Sequence, residues 1–425
     1  MSYRKELHFW VMPNAGFATR AAVSNLINEF EQIHPEVKVQ LSIHPWSLAW
    51  NQLMDVVKGR SISSPDVIQV GTTWTTTLSY LNALDKVPSD ILNSHAQAAG
   101  WIGDSSDGSF SHDLFGVPWF TDIRVLYYRR DIFEKMGIKV SSLEDWKGLK
   151  SACQEIHSYI KKGETEKIKV PLGFPGQKIS VQMHDLAPWV WGAGGEFIAE
   201  ETKEASLTHA RLIEGCVYYF DLINDGLMPI PNNFMPEGNF FTGHAAMQLS
   251  GSWPVDTCFN PQYQYAQPEV IENVGIVPLP SGPKGRFTFL GGSNLSVLNY
   301  SKEKDLAWQF IQFMSEPERL LSHARNIGAL PAHLSVMDVL FERFPWARNV
   351  FWDSFSCARR LPKIVELGSV EQILAKMGGR VLSSIRDKAY SLPLLQQEIA
   401  VANHDIKTTL SIHRYRPKVN TGVAA

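Results

Sequence analysis

The chain has 425 residues, of which 44% are hydrophobic and 20% are charged, and its formal net charge is -3. This length exceeds what one hydrophobic core usually supports, so we expect two domains, each able to bury a substantial interior. The near-neutral charge argues against a nucleic-acid-binding protein, because such proteins carry a basic patch or stripe. The apolar runs are much shorter than a membrane span, and none of them predicts a transmembrane helix.

The amino terminus and the cysteines bear on the compartment of the protein. The opening sequence MSYRKELHFWVMP has basic side chains but lacks the apolar stretch of a secretory signal. It indicates either a cytosolic protein or a mature chain whose signal has been removed. The cysteines lie far apart without a CxxC pair, which argues against a sulfur-bound metal. An exported chain could form disulfides between them, but we expect buried free thiols. They are Cys153, Cys216, Cys258 and Cys357.

The stretch from residue 7 to residue 74 has the pattern of a parallel α/β sheet. Apolar residues run together or alternate in three places and recur at helical spacing between them, which predicts strand, helix, strand, helix, strand. The predicted strands span 7–12, 37–43 and 63–71, and the predicted helices span 23–30 and 48–58. This order is typical of parallel strands joined by right-handed crossovers.

In such sheets, ligands bind outside the carboxyl ends of the strands. The segments at these ends are 13–16, 44–46 and 71–74; all have polar groups, and two contain a tryptophan. A sugar needs this combination, because its hydroxyls require hydrogen bonds and its C–H face packs on an aromatic ring. The candidate ligand residues here are Asn14, Trp46, Thr72 and Trp74.

Residues 114–138, LFGVPWFTDIRVLYYRRDIFEKMGI, are predicted to cross from one domain to the other. Gly116 and Pro118 interrupt the preceding structure, and a β-rich run follows at 123–128. An acid with exposed aromatics beside it suits a ligand site where the chain changes domain. Burial of the aromatics in a core, with the acid in a turn, is the alternative. The candidate ligand residues are Trp119, Phe120 and Asp122.

Four stretches, in order along the chain, resemble one protein family. They are VPWFTDIRVLYYRRDIFEKMGI, FFTGHAAMQLSGSWPVD at 240–256, GIVPLPSGPKGRFTFLGGSNLSV at 275–297 and AWQFIQFMSEPERL at 307–320. Together they resemble the family 1 extracellular solute-binding proteins, the sugar receptors of ABC importers typified by the maltose- and trehalose-binding proteins. The resemblance implies an α/β, two-lobed periplasmic-binding-protein fold of type II, in which each lobe is a mixed sheet flanked by helices and the ligand cleft lies between them. It also favours a mature exported chain.

The resemblance also implies how the chain divides between the lobes. We expect an N-terminal lobe of residues 1–118 plus 294–331 and a C-terminal lobe of residues 122–290 plus 336–412, followed by a tail at 413–425. Three hinge crossings are expected near 118–123, 289–294 and 330–336.

Tryptophans of the second lobe are candidate sugar platforms. In HDLAPWVWGAGGEF, Trp189 and Trp191 precede a glycine pair, as in the aromatic contribution of the family's second lobe, and we expect one ring in the core and one in the cleft. The sequence GAGG lacks the spacing of a phosphate-binding loop. Trp253 follows two small residues and matches the family's stacking aromatic. Asp256, close behind, is predicted to accept a hydrogen bond from the ligand or to cap a helix.

Later segments add main-chain and cationic candidates. Gly291 and Gly292 permit unusual dihedrals and close backbone approach, and the candidates from this crossover are Gly292 and Asn294. The segment CARRLPKIVEL at 357–367 resembles one that returns to the cleft, where Arg359 or Arg360 would donate to sugar hydroxyls, with Arg359 as our choice. The chain departs from many relatives in having Val365, Glu366 and Leu367 where they place an aromatic, which argues against one family stacking platform.

We therefore expect a monomeric receptor that captures a di- or oligosaccharide by lobe closure and delivers it to a membrane permease. Neither enzymatic activity nor a cofactor, metal or nucleic acid is expected, since GxSxG, HExxH, P-loop and kinase motifs are absent from the sequence. One alternative is a carbohydrate-active enzyme with Asp122 and Asp256 as its carboxylate pair. Another is a receptor for a polyamine or ferric ion. Tyr127 and Tyr128 suit ferric ion poorly, because adjacent strand residues face opposite sides, and Arg359 would repel a polycation.

Overall fold

Two separate β-sheets organise the chain. The computed structural model describes residues 4–13, 18–61, 63–94, 114–174, 181–199, 202–230, 238–252, 267–342 and 345–414. Its strands are β1 (Lys5–Val11), β2 (Val37–Ile43), β3 (Val67–Gly71), β4 (Val117–Ile123), β5 (Val125–Arg129), β6 (Val170–Gly173), β7 (Ala245–Ser250), β8 (Val274–Val277), β9 (Thr288–Val297), β10 (Leu330–Pro331) and β11 (Ala358–Arg359). The larger sheet has the order β10-β4-β9-β3-β1-β2, with β11 beside β9, and the smaller has the order β6-β7-β5-β8.

Helices cover both sheets. Those of the first half are α1 (Ala18–Ile33), α2 (Trp46–Val57), α3 (Thr72–Tyr80), α4 (Ser89–Ser94), α5 (Arg130–Met136), α6 (Trp146–Lys161) and α7 (Met183–Ala193). Those of the second half are α8 (Ala210–Asn224), α9 (Gly238–Phe241), α10 (Pro268–Asn273), α11 (Lys304–Met314), α12 (Pro317–Ile327), α13 (Leu334–Glu342), α14 (Pro345–Ser356), α15 (Leu367–Arg386) and α16 (Leu392–Arg414). Within the described parts of the chain, no helix is both long enough and apolar enough to span a membrane.

The predicted order of the first five elements is confirmed. Strand β1 pairs in parallel with both β2 and β3, and α1 and α2 make the crossovers between them. Strand β2 spans the predicted residues, whereas β3 begins only at Val67 and α2 begins earlier, at Trp46, because Pro45 serves as its N-cap.

The core of the larger sheet is rich in aromatic rings. Phe310 of α11 meets Phe9 of β1 and Phe30 of α1 edge-on, with ring centroids 5.2 and 5.0 Å apart. Apolar residues at 306, 310 and 313 recur at helical spacing, which predicts a helix that ends at the Glu316-Pro317 pair. Helix α11 confirms this prediction and ends just before that pair. The buried residues of this cluster come mainly from β1, β2, β3, β4 and β9 and from α1, α11 and α12, with single residues from α4 and α13.

The smaller sheet has its own core, in which helices α6, α7, α8, α15 and α16 pack together. Strand β5 lies between β7 and β8 in this sheet. The two tyrosines of β5 face opposite sides of the sheet, as predicted. Tyr128 packs into this core, whereas Tyr127 packs into a different cluster and donates to the carbonyl of Gly251 over 2.7 Å. The pair does not converge on a single site.

The stretch from Ser142 to Asp145 has the pattern of a capping box ahead of a helix, but helix α6 begins differently. Residues Val140–Glu144 form a short 3-10 helix, and the N-cap is Asp145, whose carboxylate accepts from the amide of Gly148 over 2.7 Å. The capping box predicted to start at Ser142 is therefore wrong, because the chain is already helical there.

The described cysteines are free. Cys153 and Cys216 are fully buried, and Cys357 is half-buried. Burial raises the pKa of both the Cys153 and the Cys216 thiols to about 12. The expectation of buried free thiols is confirmed for these two, while Cys258 lies outside the described residues.

Three strands lie side by side where the chain passes between the sheets. Strand β4 belongs to the larger sheet and continues, after the single residue Arg124, as β5 of the smaller one. It pairs antiparallel with β9 on one side and with β10 on the other. In this ladder Asp122 lies opposite Gly291.

Candidate ligand cleft

A cavity of about 30 Å³ lies where the two sheets meet the C-terminal helices. Its lining combines hydroxyl groups of α3, residues of β9, and cationic and apolar side chains of the segment that leads into α15. The lining residues are Thr72, Thr73, Thr76, Phe289, Leu290, Gly291, Arg360, Leu361, Pro362, Lys363 and Leu367. Because the cavity is so small, its walls lie close to one another in this structure.

Helix α3 brings the threonines to the cavity. It starts directly after Gly71 at the carboxyl end of β3, which is where a parallel sheet places ligand groups. No side chain caps its first turn, so its first amides remain available as donors. The structure thus places Thr72, one of the candidate ligand residues, in the cavity wall.

Three tryptophans cluster behind these threonines. The ring centroids of Trp46 and Trp50 lie 5.7 and 5.4 Å from that of Trp74, all at steep angles. Trp46 is 39% exposed, and its indole nitrogen donates to the carbonyl of Pro13 over 3.1 Å. Trp46 therefore presents ring surface to solvent near the ends of β1 and β3, whereas Trp50, which sequence reasoning missed, lies inside the cluster.

An acidic and basic cluster flanks the cavity at the end of β4. The Arg124 guanidinium lies 2.8 Å from one oxygen of Asp122 and 3.6 Å from a carboxylate oxygen of Asp185. The other oxygen of Asp122, Oδ1, is buried and has no hydrogen-bond partner. Burial, reinforced by the charge of Arg124, lowers the pKa of His184 well below its ordinary value. Asp122 was predicted, while Arg124 and Asp185 were not.

The predicted exposure of Trp119 and Phe120 is wrong. Trp119 is fully buried and Phe120 is 8% exposed, both within the core of the larger sheet. The reason lies in the elements that cover β4: the ring of Trp119 stacks on His323 of α12 and packs 6.3 Å from Phe9 of β1, and Phe120 also lies near His323. The core alternative describes these two residues correctly.

The expectation that one of Trp189 and Trp191 faces the cleft is also wrong, since both are 2% exposed. They lie on helix α7, whose side chains are buried on nearly every side, as expected of a helix that is apolar all round. The ring of Trp189 packs 5.8 Å from that of Trp146, and Trp191 lies beneath Arg359.

Of the two arginines offered as donors to the ligand, the structure places Arg360 rather than Arg359 in the cavity wall. The Arg359 guanidinium lies 2.7 Å from a carboxylate oxygen of Glu196 and 5.2 Å from the ring of Trp191. Arg360 lines the cavity. Successive residues of an extended segment point to opposite sides, so placing the first arginine against Glu196 turns the second toward the cleft.

Two candidates on β9 are structural rather than cavity-lining. Asn294 is fully buried, and its amide donates to the hydroxyl of Thr75 over 3.3 Å. Gly292 has φ +142°, and a side chain there would place its Cβ 2.1 Å from the carbonyl oxygen of Phe120. The close approach of β4 and β9 thus explains this glycine, and Gly291 is the one that borders the cavity. The predicted sites Asn14, Trp253 and Asp256 lie outside the described residues and stay predictions.

Comparison with known proteins identifies the class. Residues 15–319 match the family described as Bacterial extracellular solute-binding protein. The chain belongs to this family.

Individual relatives have low sequence identity to this chain but align over most of its length. A putative binding protein of Brucella abortus is 24% identical over 72% of this chain and 71% of its own length. The diacetylchitobiose binding protein DasA of Streptomyces coelicolor is 23% identical over 76% of this chain and 72% of its own length. The GacH receptor of Streptomyces glaucescens, solved unliganded and with acarbose, superposes with a TM-score of 0.77 at 21% identity, over 96% of this chain and 99% of its own. The fold is therefore the predicted two-lobed one, with a cleft between the lobes.

Proposed function

We propose that this chain is the exported, monomeric receptor of an ABC importer, and that it captures a di- or oligosaccharide between its lobes and delivers it to a membrane permease. The observation that carries the proposal is the unpartnered, buried Oδ1 of Asp122, opposite the cavity-lining Gly291. A buried acceptor without a partner costs free energy, and a sugar hydroxyl in the cleft would supply the missing donor.

The surrounding groups support the same ligand class. Thr72 and Thr76 of α3 carry hydroxyls that can both donate and accept, and Arg360 and Lys363 carry only donors. Trp46 adds an exposed ring on which a C–H face can stack. DasA is named for diacetylchitobiose, and the GacH structure was solved with acarbose. Both of these ligands belong to the same class.

Capture by closure follows from the position of the cavity. Its walls come from α3 after the larger sheet, from β9, and from the segment leading into α15, so a ligand there touches both lobes at once. Only the closed arrangement offers every contact, and the ligand therefore shifts the equilibrium toward it. We propose the hinge at the crossings near 118–123, 289–294 and 330–336, with lobes of 1–118 plus 294–331 and 122–290 plus 336–412.

The alternatives are less well supported. For a glycosidase, Asp122 would serve as one carboxylate, but Arg124 already engages one of its oxygens. A polyamine would meet two cationic side chains, Arg360 and Lys363, in the lining. For ferric ion, the described residues contain no cluster of three or more His, Cys, Asp or Glu that could hold a metal.

A thermal-shift screen tests the proposal. Maltose, trehalose, diacetylchitobiose and acarbose are compared with spermidine and with ferric citrate, because a ligand that binds only the native state raises its melting temperature. We expect at least one carbohydrate to raise it. A shift with spermidine or ferric citrate alone would contradict the proposal, and release of reducing sugar from the oligosaccharides would favour the enzyme.

A further inference from the structure

A carboxylate joins the two lobes beside the cavity. The hydroxyl of Thr73, on α3, donates to Oε2 of Glu371, on α15, over 3.2 Å. The indole of Trp74 also hydrogen-bonds Glu371. One turn further along α3, the hydroxyl of Thr77 donates to the carbonyl of Val365 over 2.6 Å.

These contacts cross from one core to the other. Helix α3 follows β3 of the larger sheet, and its Leu78 packs in a cluster with residues of β1 and β3. Helix α15 buries its apolar side in the core of the smaller sheet. Helix α15 also approaches α2 closely, because a Cβ on Gly368 of α15 would lie 2.6 Å from the ring of Trp50 of α2. The interface therefore exists only while the lobes are together.

Glu371 is only partly exposed in this interface, and its surroundings set its charge. Burial raises the pKa of Glu371 to about 7, although the hydrogen bonds from Thr73 and Trp74 act in the opposite direction. Opening the lobes would return the side chain to water and to its ordinary pKa of 4.5.

Charged neighbours do not account for this shift. Helix α3 carries no ionisable side chain apart from Tyr80, and α2 carries only Asp55. The nearest charges along the chain are those of Lys363, Glu366 and Lys376. None of these groups is among the causes of the raised pKa.

From this geometry we infer that Glu371 is a positioning residue that holds Thr73 at the cavity wall and makes lobe closure take up a proton. Between pH 4.5 and pH 7 the open form carries an ionised Glu371 and the closed form a protonated one. Closure is therefore favoured most at low pH. The ratio of closed to open forms falls by up to about tenfold per pH unit as pH rises toward 7, and it levels off above that value.

Small-angle scattering of the full chain without ligand, from pH 5 to pH 8.5, tests this inference. The wild-type radius of gyration should increase as pH rises to about 7 and then stay constant. Glu371→Gln keeps an acceptor for Thr73 but does not titrate, so its radius should stay small throughout. The control Glu366→Gln, in the segment that leads into α15, should follow the wild type.

A second variant covers the case in which Glu371→Gln does not fold. Thr73→Val removes one hydrogen bond of the closed form and leaves the titrating glutamate, so its radius should be larger than that of the wild type at the same pH and should still increase with pH, with an unchanged circular dichroism spectrum. A wild-type radius that does not change with pH, or a Glu371→Gln radius that changes like the wild type, would overturn the inference. The inference rests on the proposed lobe closure but not on the sugar. Because no ligand is added, a failed carbohydrate screen leaves these outcomes interpretable.

Discussion

The indole ring of Trp119 stacks on the imidazole of His323, with ring centroids 4.1 Å apart and planes 15° from parallel. Both nitrogens of His323 and the indole nitrogen of Trp119 are buried without hydrogen-bond partners. Burial lowers the pKa of His323 to about 3. The stack is therefore built around a neutral histidine in the core of the larger sheet.

This neutral histidine should make the protein acid-sensitive. In the unfolded chain His323 has its ordinary pKa of 6.5. Between pH 6.5 and about pH 3, His323 is therefore protonated in the unfolded state but neutral in the folded state. The contribution to stability is complete above pH 6.5 and is lost as pH falls through this window, by up to about 1.4 kcal/mol per pH unit. Urea unfolding at pH 7.5, 5.5 and 4.5 should show that the free energy of unfolding falls less with pH in His323→Phe than in the wild type. The exposed control His404→Phe should retain the wild-type loss; equal losses in all three proteins would contradict a buried neutral His323.

Replacing Asp122 should weaken carbohydrate binding more than folding. Its unpartnered oxygen is proposed to accept from a ligand hydroxyl, so Asp122→Ala should cost roughly 1.5–3 kcal/mol of binding free energy, the range for hydrogen bonds to charged groups. Calorimetric titration with the carbohydrate found in the screen measures the effect. Asp338→Ala removes an exposed carboxylate that pairs with Arg348 and should leave the affinity unchanged. Full affinity in Asp122→Ala would return Asp122 to a structural role with Arg124.

Two tryptophans should respond in opposite ways to truncation. Trp46 is 39% exposed and Trp189 is 2% exposed. Trp46→Ala should lower carbohydrate affinity by roughly 0.5–1.5 kcal/mol, the value of an aromatic contact, with little change in melting temperature. Trp189→Ala should destabilise the ligand-free protein by roughly 3–5 kcal/mol, as buried aromatic truncations do. Melting and titration of both variants separate the cases, and a large loss of stability in Trp46→Ala would place that ring in the core.

Gly292 should tolerate no side chain. A Cβ there would lie 2.1 Å from the carbonyl oxygen of Phe120, in a backbone conformation with φ +142°. Gly59 is the matched control, because it also has a positive φ, of +67°, but has no atom within 4 Å of the added Cβ. Gly59→Ala should cost roughly 1–2 kcal/mol from backbone strain alone, and Gly292→Ala should cost clearly more. Urea unfolding measures both, and equal costs would contradict the close approach of β4 and β9.

Local pattern was sufficient for the elements but not for the burial of the cleft residues. The alternation at 37–43 and the helical spacing at 306–313 identified β2 and α11 because neighbours along the chain determine them. Trp119 and Phe120 were misjudged because their burial depends on His323 of α12, about 200 residues later, which packs against both rings. Trp189 and Trp191 lie on nearly opposite sides of helix α7, so one inward and one outward ring would require a helix with an exposed face, whereas α7 is buried on nearly every side.

The most informative residue that the sequence did not reveal is Glu371. Its partner Thr73 lies 298 positions away, and nothing in the local sequence GSVEQIL distinguishes this glutamate from an ordinary solvated one on a helix. The choice of Arg359 over Arg360 as the cleft residue has a similar origin, because the position of Arg359 depends on Glu196 from a distant loop. The long-range partner, rather than local spacing, decides the role of each of these side chains.

Capture by lobe closure is tested most directly by small-angle scattering of the full chain with and without a saturating carbohydrate from the screen. We expect the radius of gyration to decrease on binding while the circular dichroism spectrum stays the same, because the lobes move as bodies about the strands that join them. An unchanged radius at saturation, confirmed by calorimetry on the same sample, would contradict closure and indicate a rigid pocket.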